Sequence, residues 1–319
     1  MNITNPDSKH FTVQEITEGI YAIIAIDGGA AICNSSIVDL GNHVIIFDTF
    51  QTPQAALDLR KLVFTLFGNI QTTVVNSHWH DDHIWGNQVF IDVAHIVSSS
   101  RTRQLIASKG PEVAEQCKGD VIQQLNNFRS QFQKADGDQR RDLKLWLGMY
   151  EGLAEDIPHF SLCLPDISFD KHLTLYGSKR TAELIEFENG HTESDIVLYL
   201  PQEGVVFMSD LLFVGCHPYL GDGDPIGQQT ALRKIGELKA KYFIPGHGPL
   251  GRPNDLVKLI HYIDHCTETA QNLVSKGGEY KERIAKLKVP KPYQDWKVSS
   301  FFVSNINYLC KRINPAARE

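Results

Sequence analysis

The chain has 319 residues, with 31 Lys and Arg against 38 Asp and Glu for a formal net charge of −7, 42% hydrophobic and 22% charged residues. That balance belongs to an ordinary globular chain with a core to bury, far from disorder, and its acidity argues against a surface built for phosphate backbones, so no nucleic-acid partner is expected. The opening residues Met1 to Ser8 carry no basic segment, the apolar run Ile20 to Ile26 is too short for a leader or a membrane span, and six cysteines are scattered without a C-x-x-C pair, so the expectation is a cytoplasmic protein with reduced thiols and no membrane contact.

In chain order, β-rich runs at Gly19 to Ile26, Ala30 to Leu40 and His43 to Asp48 alternate with polar turns, and the Val-Ile-Ile-Phe centre of the third suits a strand buried on both faces. Pro53 near the first helical position, with Ala56, Leu59, Val63 and Leu66 on a helical repeat, predicts a helix over Thr52 to Phe67. A strand over Thr72 to Asn76 then runs straight into a histidine cluster. From about residue 99 to residue 160 the texture changes to Gln-, Lys- and Asp-rich helical segments with Val121, Leu125, Phe128 and Phe132 at spacings of three and four, a helical insertion. Strands are expected at Leu173 to Tyr176, Thr181 to Glu188, Ile196 to Leu200 and Val205 to Met208. A helix over Gln229 to Lys241, with Leu232, Ile235 and Leu238 on one face, leads to a short strand at Tyr242 to Pro245. A helical C-terminal extension, about 254–319, is broken near Gly277-Gly278 and at Pro290. With no internal repeat, 1–319 reads as a single domain.

The segment Asn76-Ser77-His78-Trp79-His80-Asp81-Asp82-His83 places four metal-ligating side chains within six residues, directly after an apolar strand. His78 and His80 face the same way on an extended chain, while Asp82 and His83 follow where the chain must turn, so one loop can face two adjacent ions. His191 in Gly190-His191-Thr192, Asp210 in Ser209-Asp210-Leu211 and His247 in Gly246-His247-Gly248 stand at predicted strand ends, where glycine lets backbone approach a crowded centre. A lone histidine at a strand end is commonly a hydrogen-bonded structural residue. Five imidazoles and two carboxylates converging without a cation, however, would bury unpaired polar and charged groups at considerable cost. Zinc is the default for such a site, and iron or manganese also suits its donors.

Other signals are open or bland. His217 and Tyr219 follow Asp210 by seven and nine residues and either reach the substrate as hydrogen-bond donors or serve as a capped loop residue and a packed aromatic. Asp48 either orients a metal-bound histidine through its second ring nitrogen or caps a turn. Trp79 lines the pocket or packs. The helical insertion is a candidate lid, a contact for a homodimer, or local core. His261 and His265 lie opposite the apolar face of their helix, so solvent is the expected partner. Asp222 and Asp224 read as turn chemistry, since the rest of a calcium loop is missing. Ser168 to Lys171 matches S-x-x-K by coincidence, without S-D-N or K-T-G, and neither a Walker A nor a G-x-G-x-x-G motif occurs.

The pattern His78-x-His80-x-Asp82-His83 after a strand, followed by the distant His191, Asp210 and His247, resembles the metallo-β-lactamase superfamily over about residue 15 to residue 251. The resemblance implies an α/β fold, a four-layer αββα sandwich with the site along one edge. It implies that His78, His80 and His191 hold a first metal and Asp82, His83 and His247 a second, with Asp210 bridging. Asp210 stands where the best-known zinc β-lactamases have Cys or Ser and is similar instead to glyoxalase II and the lactonases. His80, where electron-transfer members usually carry Glu, points to hydrolysis. The stretches Cys216 to Pro225 and Pro290 to Arg312 resemble a broad group of small-molecule hydrolases in the superfamily. The implied function is a dinuclear metal-dependent hydrolase: hydroxide bridging two divalent ions, set by Asp82 and Asp210 among the catalytic residues, attacks the carbonyl of a small ester, lactone, thioester or lactam. The alternatives are a mononuclear-iron persulfide dioxygenase-like oxidoreductase, which would leave part of the second site empty, and a phosphodiesterase or nuclease, which would bring a basic groove.

Overall fold

The computed structural model describes residues 3–4, 8–276 and 280–314. Its first sheet lays β1 (Ile3–Thr4), β2 (Phe11–Thr17), β3 (Ile20–Ala25), β4 (Ser35–Asp39), β5 (Val44–Phe47), β6 (Thr72–Val75), β7 (Ala94–Ser99) and β8 (Ile167–Phe169) side by side in chain order. Neighbours are antiparallel as far as β5 and parallel from β5 to β8. The second sheet runs β9 (His172–Tyr176), β10 (Thr181–Glu188), β11 (Ser194–Leu200), β12 (Val205–Phe213) and β13 (Tyr242–His247), antiparallel except for the parallel last pair. The helices are α1 (Pro53–Phe67), α2 (Asp81–Ile84), α3 (Ser100–Lys134), α4 (Gly137–Asp156), α5 (Pro225–Gly236), α6 (Pro253–Ser275), α7 (Lys281–Ile284) and α8 (Ser300–Ile313).

Period-two patterning explains the layers. In β5, Ile45 and Phe47 point into a core shared with Leu184, Leu198 and Phe207 of the second sheet, while Val44 and Ile46 point the other way, toward Leu59 and Val63 of α1. In β11, Ile196 and Leu198 face the first sheet, and Val197 and Tyr199 face the cluster built with α5, α6 and α8. Helix, sheet, sheet, helix is therefore the order of layers, the αββα sandwich. The all-buried β5 is the strand between two apolar layers that its sequence predicts. Parallel neighbours need crossovers: α1 joins β5 to β6, started by Thr52, whose hydroxyl accepts from Ala55 N at 3.4 Å, with Pro53 in the first turn.

The helical insertion is an antiparallel pair, α3 and α4. Gly148 on α4 lies so close to the loop before β4 that an added Cβ would sit 2.3 Å from the Gly28 carbonyl carbon. The C-terminal extension lays α6 and α8 over the second sheet through Leu259, Tyr262 and Ile263 against Phe302 and Ile306. The break expected at Gly277-Gly278 lies outside the described residues, as does most of the Met1 to Ser8 stretch. No helix among the described residues is long and apolar enough to cross a membrane.

Some expectations need correction. The helix expected over Gln229 to Lys241 begins at Pro225, because the Asp224 carboxylate accepts from Ile226 N at 3.1 Å, and it ends at Gly236. The strand expected from Ala30 starts at Ser35, since Asn34 is turned toward the second sheet, its amide donating to the Pro245 carbonyl at 3.0 Å and the Gly248 carbonyl at 2.8 Å. The strand expected to stop at Met208 runs to Phe213. His261 is exposed, but His265 is half-buried, its ring stacked 6.2 Å from Phe302 beneath α8.

The two sheets are held face to face by side chains such as Phe207, fully buried 6.3 Å from the Phe47 ring. Phe207→Ala should lower the free energy of unfolding by about 3–5 kcal/mol. Urea denaturation of the full chain checks this, and a loss under about 1 kcal/mol would mean that the core relaxes around the deletion.

Candidate metal centre

Strands β5 and β6 end together, as do β12 and β13, and the predicted donors gather around these ends and the β10–β11 turn. After β6 the chain bends at His78 and Trp79, and α2, entered from an extended His80, carries Asp82 and His83, both buried. His191 sits in the β10–β11 turn, and His247 is the last residue of β13. Asp210 lies inside β12 just past Ser209, whose φ of 45° and the register shifts around it kink the strand toward the site. A Cβ on Gly246 would stand 1.8 Å from Asp210 Oδ1, so only glycine fits beside that carboxylate.

The structure thus brings all seven predicted donors together. One ligand atom each from His78, His80, His191 and Asp210 lies within 4.8 Å of the others, and so it does for His83, Asp210 and His247. Asp210 belongs to both sets: Oδ2 is 3.3 Å from His191 Nε2, while Oδ1 is 3.1 Å from His83 Nε2 and 3.3 Å from His247 Nε2. Asp82 Oδ2 completes the second set, 3.5 Å from His83 Nε2 and 3.3 Å from His247 Nε2.

Most of these rings are held by the nitrogen that faces away. His83 Nδ1 donates to Asp48 Oδ2 at 2.8 Å, His247 Nδ1 to the Ile32 carbonyl at 2.9 Å, His78 Nδ1 to Ser77 Oγ at 2.9 Å and His80 Nε2 to Asp222 Oδ2 at 3.0 Å. These bonds assign tautomers whose remaining nitrogens are lone-pair donors aimed inward. His78 Nε2, His83 Nε2 and Asp210 Oδ1 are buried with no hydrogen-bond partner, and His80 Nδ1 faces His191 Nε2 at 3.0 Å. Buried acceptors facing one another are costly unless a cation stands among them, so the donor set fits divalent metal. Burial pushes His191 down to about 3. Burial alone would raise Asp210, but His247, His83 and His191 hold it well below the usual carboxylate range. Against the effect of burial, the facing carboxylates in turn hold His83 and His247 well above the usual imidazole range, so a metal, which takes neutral imidazole and ionised carboxylate as ligands, would displace protons there.

Residues that the sequence left open find definite places. Asp48 orients His83. Trp79 is 9% exposed, with Lys109 Nζ 4.3 Å from its ring centre. The Tyr219 ring is 6.0 Å from that of His80 at the rim. His217 stands apart from the seven donors, its Nδ1 2.9 Å from the Tyr262 hydroxyl and its ring against Trp296. Asp222, read from sequence as turn chemistry, is the partner of His80, whereas Asp224 does cap α5. Cys33 was not anticipated either: its buried thiol donates to the Asp82 carbonyl at 2.7 Å and groups with Asp82 and His83. No spacing signal links it to residues 49 positions away.

Comparison with known proteins agrees with this geometry. The family model of the metallo-beta-lactamase superfamily matches residues 28–247. The beta-lactamase-like protein 2 homolog of Caenorhabditis elegans is 26% identical over 131 residues, 39% of this chain and 42% of that protein, so the match spans less than half of that relative. Among solved structures, a metallo-beta-lactamase from Pontibacter korlensis superposes with a TM-score of 0.57 at 20% identity, covering 80% of this chain and 99% of that one. At that identity the likeness is one of fold.

Removing the Asp222 carboxylate frees the His80 ring to turn. Asp222→Ala should weaken metal binding at the His80 end of the donor set about 10- to 100-fold. Competition with a chromophoric chelator reads the affinity, and an unchanged affinity would reduce Asp222 to a loop residue.

Proposed function

The chain belongs to the metallo-β-lactamase superfamily, and from that premise and its doubled donor set we propose that it is a hydrolase working with two divalent ions on the carbonyl of a small ester, lactone, thioester or lactam. The observation that carries this reading is the Asp210 carboxylate, with one oxygen turned to His191 and the other to His83 and His247. A carboxylate so placed can bridge two ions. In this reading His78, His80 and His191 hold the first, and Asp82, His83 and His247 the second.

When bound, such a pair of ions supplies a water-derived nucleophile at neutral pH and positive charge for the carbonyl oxygen. The protein's own part is positional. Asp48, Ser77, Asp222 and the Ile32 carbonyl keep four imidazoles in one tautomer and one orientation, so the donors need no rearrangement as charge develops. Tyr219, pushed up to about 12 by burial with Asp222 nearby, keeps its proton and serves as a donor over the reacting group. His217, pushed down to about 4 by burial, is a neutral ring on the pocket wall, held by Tyr262.

A mononuclear-iron oxygenase would use the first donor set and has no role for Asp82, His83 and His247 assembled beside it. A nuclease would place unpaired cations along the pocket, whose two basic lining residues, Arg141 and Lys297, are ion-paired and stand among Asp81, Asp120 and Asp222. Neither alternative therefore draws support from a specific contact.

Exhaustive dialysis against a chelator should abolish ester or lactone hydrolysis, and zinc or manganese should restore it. Asp210→Ala should lower kcat/KM by about 1,000-fold or more. Full turnover by the chelated protein would contradict the reading.

A further inference from the structure

Over the donor cluster opens a pocket of about 830 Å³, far more room than an acetyl or lactoyl group needs. The helical insertion lines it with Val113 from α3 and Trp146, Met149 and Leu153 from α4; Phe301 from α8 continues that wall, its ring 6.1 Å from that of Trp146, and Phe213 from β12 adds a further apolar side chain. Three separate segments thus converge on a mainly apolar chamber with the donor cluster at one end.

The charges lining the chamber are as informative as its apolar walls. The two basic residues among the lining, Arg141 and Lys297, are both engaged: Arg141 with Asp138 at 3.2 Å and Asp142 at 3.4 Å, Lys297 with Asp27. Asp120 and Asp295 also line the pocket, and no ion pair holds either among the described residues. Positive charge brought by bound ions is confined to the His and Asp end, where a carbonyl oxygen belongs. Away from that end, an anionic substrate meets carboxylates and finds no free cation.

Resting on the hydrolase reading above, we propose that the substrate is an uncharged ester or lactone with a long alkyl or aryl group. Its carbonyl lies at the donor cluster, and its apolar part lies along the wall of Val113, Trp146, Met149 and Phe301. Thioesters carried on anionic groups, such as glutathione conjugates, are disfavoured by the same walls. Hydrolysis adds water across the acyl C–O bond: the carbonyl carbon gains oxygen, the alkoxide leaves with a proton, and no oxidant or reductant enters.

Two measurements test this on the full, metal-loaded chain. In the first, intrinsic tryptophan fluorescence, to which Trp79 and Trp146 report from the pocket lining, follows titration with 2-decanone and with S-octylglutathione. The neutral ketone should bind at least about tenfold more tightly than the anionic thioether. In the second, kcat/KM should rise about 100-fold from p-nitrophenyl acetate to the octanoate. Met149→Phe, which narrows the chamber, should cut that octanoate-to-acetate ratio about tenfold. Ester turnover with a flat chain-length profile, or with the glutathione thioester preferred, would overturn the substrate assignment and leave the hydrolase reading standing. Tight ketone binding without turnover of any ester would support the assignment of an uncharged apolar ligand and overturn the hydrolase reading instead. Weak binding of the ketone together with a flat profile would overturn the inference outright.

Discussion

The carboxylate of Asp48 is taken out of water at the end of β5 and given four donors in return: Ser77 N and Oγ at 2.8 Å each, Ser209 Oγ at 3.0 Å and His83 Nδ1 at 2.8 Å. A buried carboxylate without such partners would cost several kcal/mol, and here each partner comes from an element that carries site residues. Ser77 begins the histidine loop, His83 lies on α2 and Ser209 kinks β12 just before Asp210. One group therefore ties the end of the first sheet to the bent strand of the second. The left-handed backbone of Asp48, at φ 65°, aims the side chain back under the loop. Asn34 makes a second tie from the same sheet, to the carbonyls on either side of His247.

This framework places the donors, and the peripheral elements decide what can approach them. α3 and α4 interrupt the chain between His83 and His191, and their apolar face closes one side of the chamber. α8 returns from the far end of the sequence to set Phe301 beside Trp146 of α4, their rings 6.1 Å apart. The loop after β12 contributes Tyr219 and Asp222, the latter held near the centre by its bond to His80. In the proposed reading, chemistry and selectivity are carried by different parts of the chain: strand ends for the first, additions to the sandwich for the second.

The strand-end half was legible in the sequence. His78, His80, Asp82 and His83 are close in sequence and follow an apolar strand, so their convergence needed no tertiary knowledge. The glycines around His191 and His247 marked strand-end turns, and the buried run Val44 to Phe47 announced a strand between two layers. What stayed hidden depends on long-range approach. Asp222 meets His80 across 142 residues, and Cys33 meets Asp82 across 49. Neither partner is marked by spacing. The boundaries of α5 were misjudged because the Asp224 cap and Pro225 outrank the apolar repeat that follows them. β8 escaped notice because it is three residues long with two of them exposed.

The central claim is that Asp210 joins two metal positions. It is tested most directly by anomalous diffraction at the metal absorption edge from crystals of the zinc-loaded chain. The account predicts two peaks about 3.5–4 Å apart, one among His78, His80 and His191 and one among Asp82, His83 and His247, with the Asp210 carboxylate between them. A single peak within the first histidine set, with Asp210 turned away from it, would contradict the account.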